Sequence, residues 1–128
     1  MKRRTAREVA LQALFQIDVS GIEPSEAIQH ALDGKENDPF LETLVNGTLK
    51  HQEEIDALIK PHLVKWTLER LANVDRAVLR MSVFEMRFME EIPVSVSIDE
   101  AIELSKTFGD DSSSRFVNGV LSNVKNSL

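Results

Sequence analysis

Flat aromatic rings and fixed cations are what single-stranded nucleic acid requires: rings stack on bases, and Lys or Arg neutralises phosphates. This chain carries both. Lys2, Arg3, Arg4 and Arg7 stand in its first seven positions, and Glu8 is the only carboxylate in the first ten. Residues 1–10 are therefore +3 in a chain whose net charge is −6, and the other 118 residues carry −9. Such asymmetry suits a polyanion at one end and a soluble or base-seeking body elsewhere. Further along, Arg76, Arg80 and Arg87 recur at helical spacing, and Arg115 is followed directly by Phe116. Phe15 supplies a second candidate ring.

Catalytic chemistry has less to work with. His30, His51 and His62 are scattered, without partners at metal-ligand or triad spacing. The five glycines form no phosphate loop. There is no cysteine, which removes disulfides, thiolate metal sites and thiol nucleophiles and fits a reducing compartment. Glu85 alone among the carboxylates falls on an apolar face, where a buried pairing with an arginine or backbone donors is the expectation. The chain is read as a non-enzyme with no metal and no cofactor. No apolar run approaches the ~20 residues of a membrane span. Arg7, Glu8, Gln12, Gln16 and Asp18 interrupt any signal-peptide core. A cytoplasmic location is expected.

The elements that position these groups are helical. Ala10, Ala13, Leu14 and Ile17 follow i, i+3, i+4, i+7 spacing, stopped at Gly21. The basic residues thus open a helix and are not a loose tail. Pro24 begins a short second helix ending at Gly34, and Asp38-Pro39 caps a third. The third stripe, from Leu41 through Ile59, reads as one long helix closed by Pro61. Gly47 inside it marks a close crossing or a soft point. Residues 62–73 read as an irregular joint. A central helix is expected from about Val74 to Glu90, with Arg76, Arg80 and Arg87 forming a narrow exposed strip, paired at most with Glu69 or Glu90. Val94 to Ile98 alternates like a strand but has nothing to pair with, and is taken as an extended connector. Ser97 and Glu100 have capping-box spacing ahead of the next helix, which ends at Phe108-Gly109. A polar loop at 110–114 leads to a last helix with Val117, Val120, Leu121, Val124 and Leu128 inward. The expectation is an all-α protein of about seven helices in two small packed bundles, about 1–61 and 62–128, forming one 128-residue unit.

A helix-turn-helix reading fails because the second helix is acidic around Glu23, Glu26 and Asp33. Single-stranded RNA fits better.

Several segments are similar to one family. Arg3-Arg4-Thr5-Ala6-Arg7-Glu8 with Leu11-Gln12-Ala13-Leu14-Phe15 resembles the start of NusB transcription antitermination factors. So do Val74 to Arg80 with Phe84-Glu85, Ile92-Pro93 followed by Ile98 to Lys106, and Phe116-Val117-Asn118-Gly119-Val120-Leu121. The resemblance spans essentially the whole chain. It implies an all-helical, non-catalytic factor that binds boxA RNA of ribosomal leader transcripts jointly with NusE, a small-subunit ribosomal protein. The pair would help assemble a termination-resistant RNA polymerase complex. It implies an RNA surface of Lys2, Arg3, Arg4, Arg7, Phe15, Asp75, Arg80, Arg115, Phe116 and Asn118. Asp75 and Arg76 fall at the junction with NusE. Phe15 stands where many members have tyrosine, which keeps the ring and loses a hydroxyl hydrogen bond. Thr5, Asp99 and Ser112 also depart from the family pattern. Monomers and homodimers both occur in the family. A related helical domain precedes the catalytic part of some ribosomal RNA cytosine methyltransferases. An RNA-targeting module of that kind and a self-associating scaffold are the two rival readings.

Overall fold

A computed structural model describes residues 1–128, and it is all-helical with no strand. Seven α-helices follow in order: α1 (Arg3–Ser20), α2 (Pro24–Leu32), α3 (Pro39–Lys50), α4 (Gln52–Ile59), α5 (Asn73–Phe88), α6 (Val94–Phe108) and α7 (Ser113–Ser127). Two short 3₁₀ turns, Lys60–His62 and Leu68–Arg70, bridge α4 to α5. Central α5 packs against α1, α3, α4, α6 and α7. Val78, Leu79, Met81 and Val83 of this helix are completely buried. Apolar side chains from all seven helices join one continuous core.

Local signals explain most boundaries. Gly21 closes α1 at φ 71°, a left-handed conformation that glycine reaches without a Cβ penalty, and its N–H bonds to Ile17 O at 2.8 Å. Asp38 caps α3 by accepting from the Phe40 N–H at 2.8 Å, with Pro39 at the first helical position.

Three expectations about these elements are corrected. The long third helix is two helices, broken at His51 (φ −104°, ψ 19°). No glycine or proline marks the break. What holds His51 there is tertiary: its ring stacks on Phe88 at 4.1 Å between centroids. The charges do fit two helices, with Lys50 in the last turn of α3 and Glu53 and Glu54 in the first turn of α4. Second, Val94–Ile98 is helical. β-Branched residues disfavour a helix by only tenths of a kcal/mol each. Burial of Ser97, Ile98 and Ala101 on the side facing the core outweighs that. Ser97 consequently caps nothing; its hydroxyl donates to Glu85 Oε1 at 3.0 Å. Third, Leu128 is half exposed and stands outside the core.

Gly47 is a close crossing. A Cβ at this position would overlap the Phe84 ring of α5. Gly47→Ala gains up to ~1 kcal/mol of helix propensity but forces the α3–α5 contact apart, which costs about 1–3 kcal/mol or more. A net loss of stability is expected, and urea denaturation monitored at Trp66 would measure it.

Candidate nucleic-acid interface

The N-terminus of α1 is positive from two sources. Its first turn has no acidic residue and Lys2, at the N-cap, makes no side-chain cap. The first backbone N–H groups are therefore open to an anion, beside the side chains of Lys2, Arg3 and Arg4. Arg3 lies over the Phe40 ring at 4.3 Å from its centroid, which fixes the side chain without neutralising it. Lys2 and Arg3 are exposed and have no carboxylate within ion-pair distance. Arg4 is exposed as well, yet it donates from Nε (3.2 Å to each oxygen) and Nη2 (2.8 Å) to Glu100 of α6. That carboxylate holds the guanidinium pKa above its ordinary value, by hydrogen bonding first and charge second.

Arg7 differs from its neighbours. It is 3% exposed and forms a two-pronged pair with Glu85, Nε to Oε2 at 2.9 Å and Nη2 to Oε1 at 2.8 Å. Its Nη1 also reaches Glu100 at 3.4 Å. The buried carboxylate thus finds the arginine partner expected of it. Arg7 is thereby withdrawn from the basic surface: a phosphate could reach it only by breaking the buried pair. The physical reason is depth along the helix: Arg3, Arg4 and Arg7 share one face, with Arg3 and Arg7 both over Phe40, but Arg7 lies a turn further in, where Glu85 of α5 meets it.

Arg76 and Arg80 are also drawn off the surface, correcting the expected exposed strip. Arg76 donates to Asp18 (2.7 and 3.1 Å), to Asn73, and to the carbonyls of Leu68 (3.0 Å), Glu69 (3.2 Å) and Leu71 (3.3 Å). Arg80 grips Asp56 at 2.9 and 3.0 Å and lies 3.7 Å from Asp18. These arginines staple α5 to α1, α4 and the second 3₁₀ turn. Only Arg87 remains half exposed, near Glu54 at 3.3 Å. The carboxylates that Arg76 and Arg80 hydrogen-bond are 58 and 24 residues away in the chain, so helical spacing gives no sign of them.

A second cluster forms where α5 and α7 begin. Asp75, Arg115 and Phe116 share an open groove of about 490 Å³ with Trp66, Arg70 and Asp110. Arg115 is exposed and free of carboxylate partners, and Phe116 is half-buried. Asn118, one turn on, accepts from Ser122 Oγ at 3.3 Å, and its amide N–H groups face solvent unpaired. Phe15 is 37% exposed and lines a smaller hollow with Leu11, Gln12, Val74 and Phe108. Val74 and Asp75, consecutive at the start of α5, line one hollow each. Eleven residues separate Arg4 from Phe15 on α1, about 17 Å along the helix. Of the expected residues, Lys2, Arg3, Arg4, Phe15, Asn118 and the Arg115–Phe116 groove are the exposed ones, whereas Arg76 and Arg80 are taken up by Asp18 and Asp56.

The sequence reading passed over Trp66 and Arg70, in a joint without periodicity, and treated Glu100 as a cap. The signal available in the chain was a tryptophan set between Lys65 and Arg70, which the structure leaves 56% exposed.

Asp75 carries the one perturbed carboxyl of the groove whose shift comes from burial. Desolvation pushes its pKa up, and the charge of Asp110 adds to it. Its Oδ1 has no hydrogen-bond partner, because Ser113 turns its hydroxyl to Asp110 Oδ1 at 3.2 Å. An acid whose pKa is raised on folding contributes stability below its unfolded value of 3.8 and loses it as pH rises through the folded value. Asp75→Asn should therefore unfold at higher urea than the parent at pH 7, with the gap closing below pH 3.8. Paired denaturation curves at the two pH values check this.

No group of three or more His, Asp or Glu side chains converges as a metal site. No helix is long and apolar enough to cross a membrane.

Known proteins agree with this architecture. The sequence profile of the NusB family matches residues 4–126. Transcription antitermination protein NusB of Bacillus licheniformis is 68% identical, covering 100% of this chain and 99% of that protein. Its counterpart from Bacillus subtilis is 62% identical, covering 100% and 98%. Among solved structures, antitermination factors NusB and NusE in complex with dsRNA align at TM-score 0.88 and 31% identity, over 98% of this chain and 97% of that one. T. maritima NusB aligns at TM-score 0.89 and 35% identity, over 98% and 92%. With the same seven-helix fold and a match along nearly its full length, the chain belongs to the NusB family.

Proposed function

We propose that the chain is a non-catalytic transcription antitermination factor of the cytoplasm. It binds boxA RNA of ribosomal leader transcripts jointly with NusE and enters the termination-resistant RNA polymerase complex. The observation that carries this reading is the full-length identity of 62–68% to transcription antitermination proteins. The geometry supports the RNA part. Lys2, Arg3, Arg4 and Arg115 offer cations to phosphates, Phe15 and Phe116 offer ring faces, and Asn118 has free N–H donors for a base edge. Asp75, beside the Arg115–Phe116 groove, is the assigned meeting point of RNA and NusE. Arg76 serves that junction by bracing the start of α5 rather than by direct contact. The acidic body complements a basic ribosomal protein.

Exposed rings favour a single strand, whose bases are free to stack. A second reading, duplex RNA, draws on the related NusB–NusE complex with dsRNA. Anisotropy titrations of boxA RNA, single-stranded and annealed, with and without NusE, test both. Tight binding of the single strand that strengthens with NusE supports the proposal. Preference for the duplex favours the second reading, and no RNA binding in either state sinks both. Sedimentation in the same buffers distinguishes a homodimer from a monomer.

A further inference from the structure

Between the core and the basic rim, charges alternate in an unbroken series. The Ser97 hydroxyl donates to Glu85, Glu85 takes both prongs of Arg7, Arg7 reaches Glu100, and Glu100 takes Nε and Nη2 of Arg4. The first members are buried, Glu100 keeps 14% of its side chain exposed, and Arg4 keeps 64%. Rigidity therefore passes outward from the core to a side chain that would otherwise be free in water.

The donors of Arg4 can be counted. A guanidinium has five N–H groups in a planar fork. Glu100 occupies the Nε–H and one hydrogen of Nη2. Nη1 makes no hydrogen bond, so both of its hydrogens and the second of Nη2 remain. That outer edge is the one that grips a phosphate with two parallel bonds. Arg4 lies in the first turn of α1, whose N-terminal partial positive charge favours an anion nearby, and it borders a hollow that Arg7, Glu8 and Glu103 also line. Placing a carboxylate against an RNA-binding arginine weakens it by simple charge addition. Holding the arginine in one orientation strengthens it, because the ordering cost is met before RNA arrives.

We propose that Glu100 is a positioning residue for RNA: it fixes Arg4, through the Arg7–Glu85 anchor, so that the outer guanidinium edge receives a backbone phosphate. This rests on the RNA-binding reading above and adds to it a carboxylate that strengthens anion binding.

The test is anisotropy with fluorescein-labelled boxA RNA and the full chain, with NusE held constant. Arg4→Ala should weaken binding. Glu100→Ala should weaken it roughly 3- to 10-fold although it removes a negative charge. Glu100→Gln, which keeps one acceptor oxygen, should recover most of that loss. In an Arg4→Ala background, Glu100→Ala should add nothing. Tighter or unchanged binding by Glu100→Ala overturns the proposal in favour of plain charge addition. An effect that persists without Arg4 overturns it in favour of a general structural role. Absence of an Arg4→Ala effect also overturns it while leaving the RNA reading intact. Failure of the parent chain to bind RNA is the separate failure of that reading.

Discussion

Glu85→Ala is expected to lower the unfolding free energy by about 3–5 kcal/mol, because it leaves the Arg7 guanidinium buried with its main partner gone. Arg7 is 3% exposed and Glu85 1%, and Ser97 supplies the only other hydrogen bond to the carboxylate. In a small domain whose whole stability is of order 5–15 kcal/mol, that loss approaches unfolding. Arg7→Ala should cost a similar amount by stranding the carboxylate. The double replacement Arg7→Met with Glu85→Leu should recover most of the stability, since an apolar pair of similar volume escapes the desolvation of two ions. Urea denaturation of the three variants at neutral pH checks this. Equal stability of Glu85→Ala and parent would mean that the pair is open to water. The result also governs how RNA experiments are read: an Arg7→Ala protein that fails to bind RNA has lost its fold before its phosphate contacts.

The second large effect is on RNA. Replacing Lys2, Arg3 and Arg115 together by alanine removes three exposed cations that no carboxylate engages. If each meets one phosphate of a single strand, the slope of log affinity against log salt falls by about 0.7 per residue, or about 2 for the three. Hydrogen bonds to charged groups contribute about 1.5–3 kcal/mol each, so three lost contacts should lower affinity at low salt at least about 1,000-fold. Phe116→Ala should cost a further 1–3 kcal/mol, about 5- to 150-fold, with the salt slope unchanged, because stacking releases no counterions. Arg80→Ala should behave in the opposite manner. Its guanidinium is bound to Asp56 and Asp18, so stability falls and the salt slope holds. Anisotropy across a salt series, with thermal unfolding of each variant, separates these outcomes. A slope unaltered by the triple replacement would place the RNA elsewhere.

Much of the helical framework was legible in the chain. Caps and stops at Gly21, Asp38-Pro39 and Gly109 are local chemistry, decided by a few neighbouring residues. The apolar stripes of α1, α5 and α7 have the helical period and face the core as expected. Resemblance to NusB factors could be read from motifs along the whole chain. The two helix boundaries that failed locally did so for one reason: a tertiary partner overrode a weak local preference. His51 breaks a helix because Phe88 lies opposite it, and Val94 to Ile98 coils because its inner face is buried.

The same division holds at the candidate site. By itself the sequence determined that cations gather at the start of α1 and that rings lie at Phe15 and Phe116, because composition and helical phase are properties of the chain. Only the tertiary structure decided which cations are free. Arg4, Arg7, Arg76 and Arg80 look alike in sequence, but Glu100, Glu85, Asp18 and Asp56 come to them from distant helices. Whether an arginine is a phosphate contact, a buried staple or a braced fork depends on what faces it. That is set by packing, which brings together residues too far apart in the chain for any periodicity to connect.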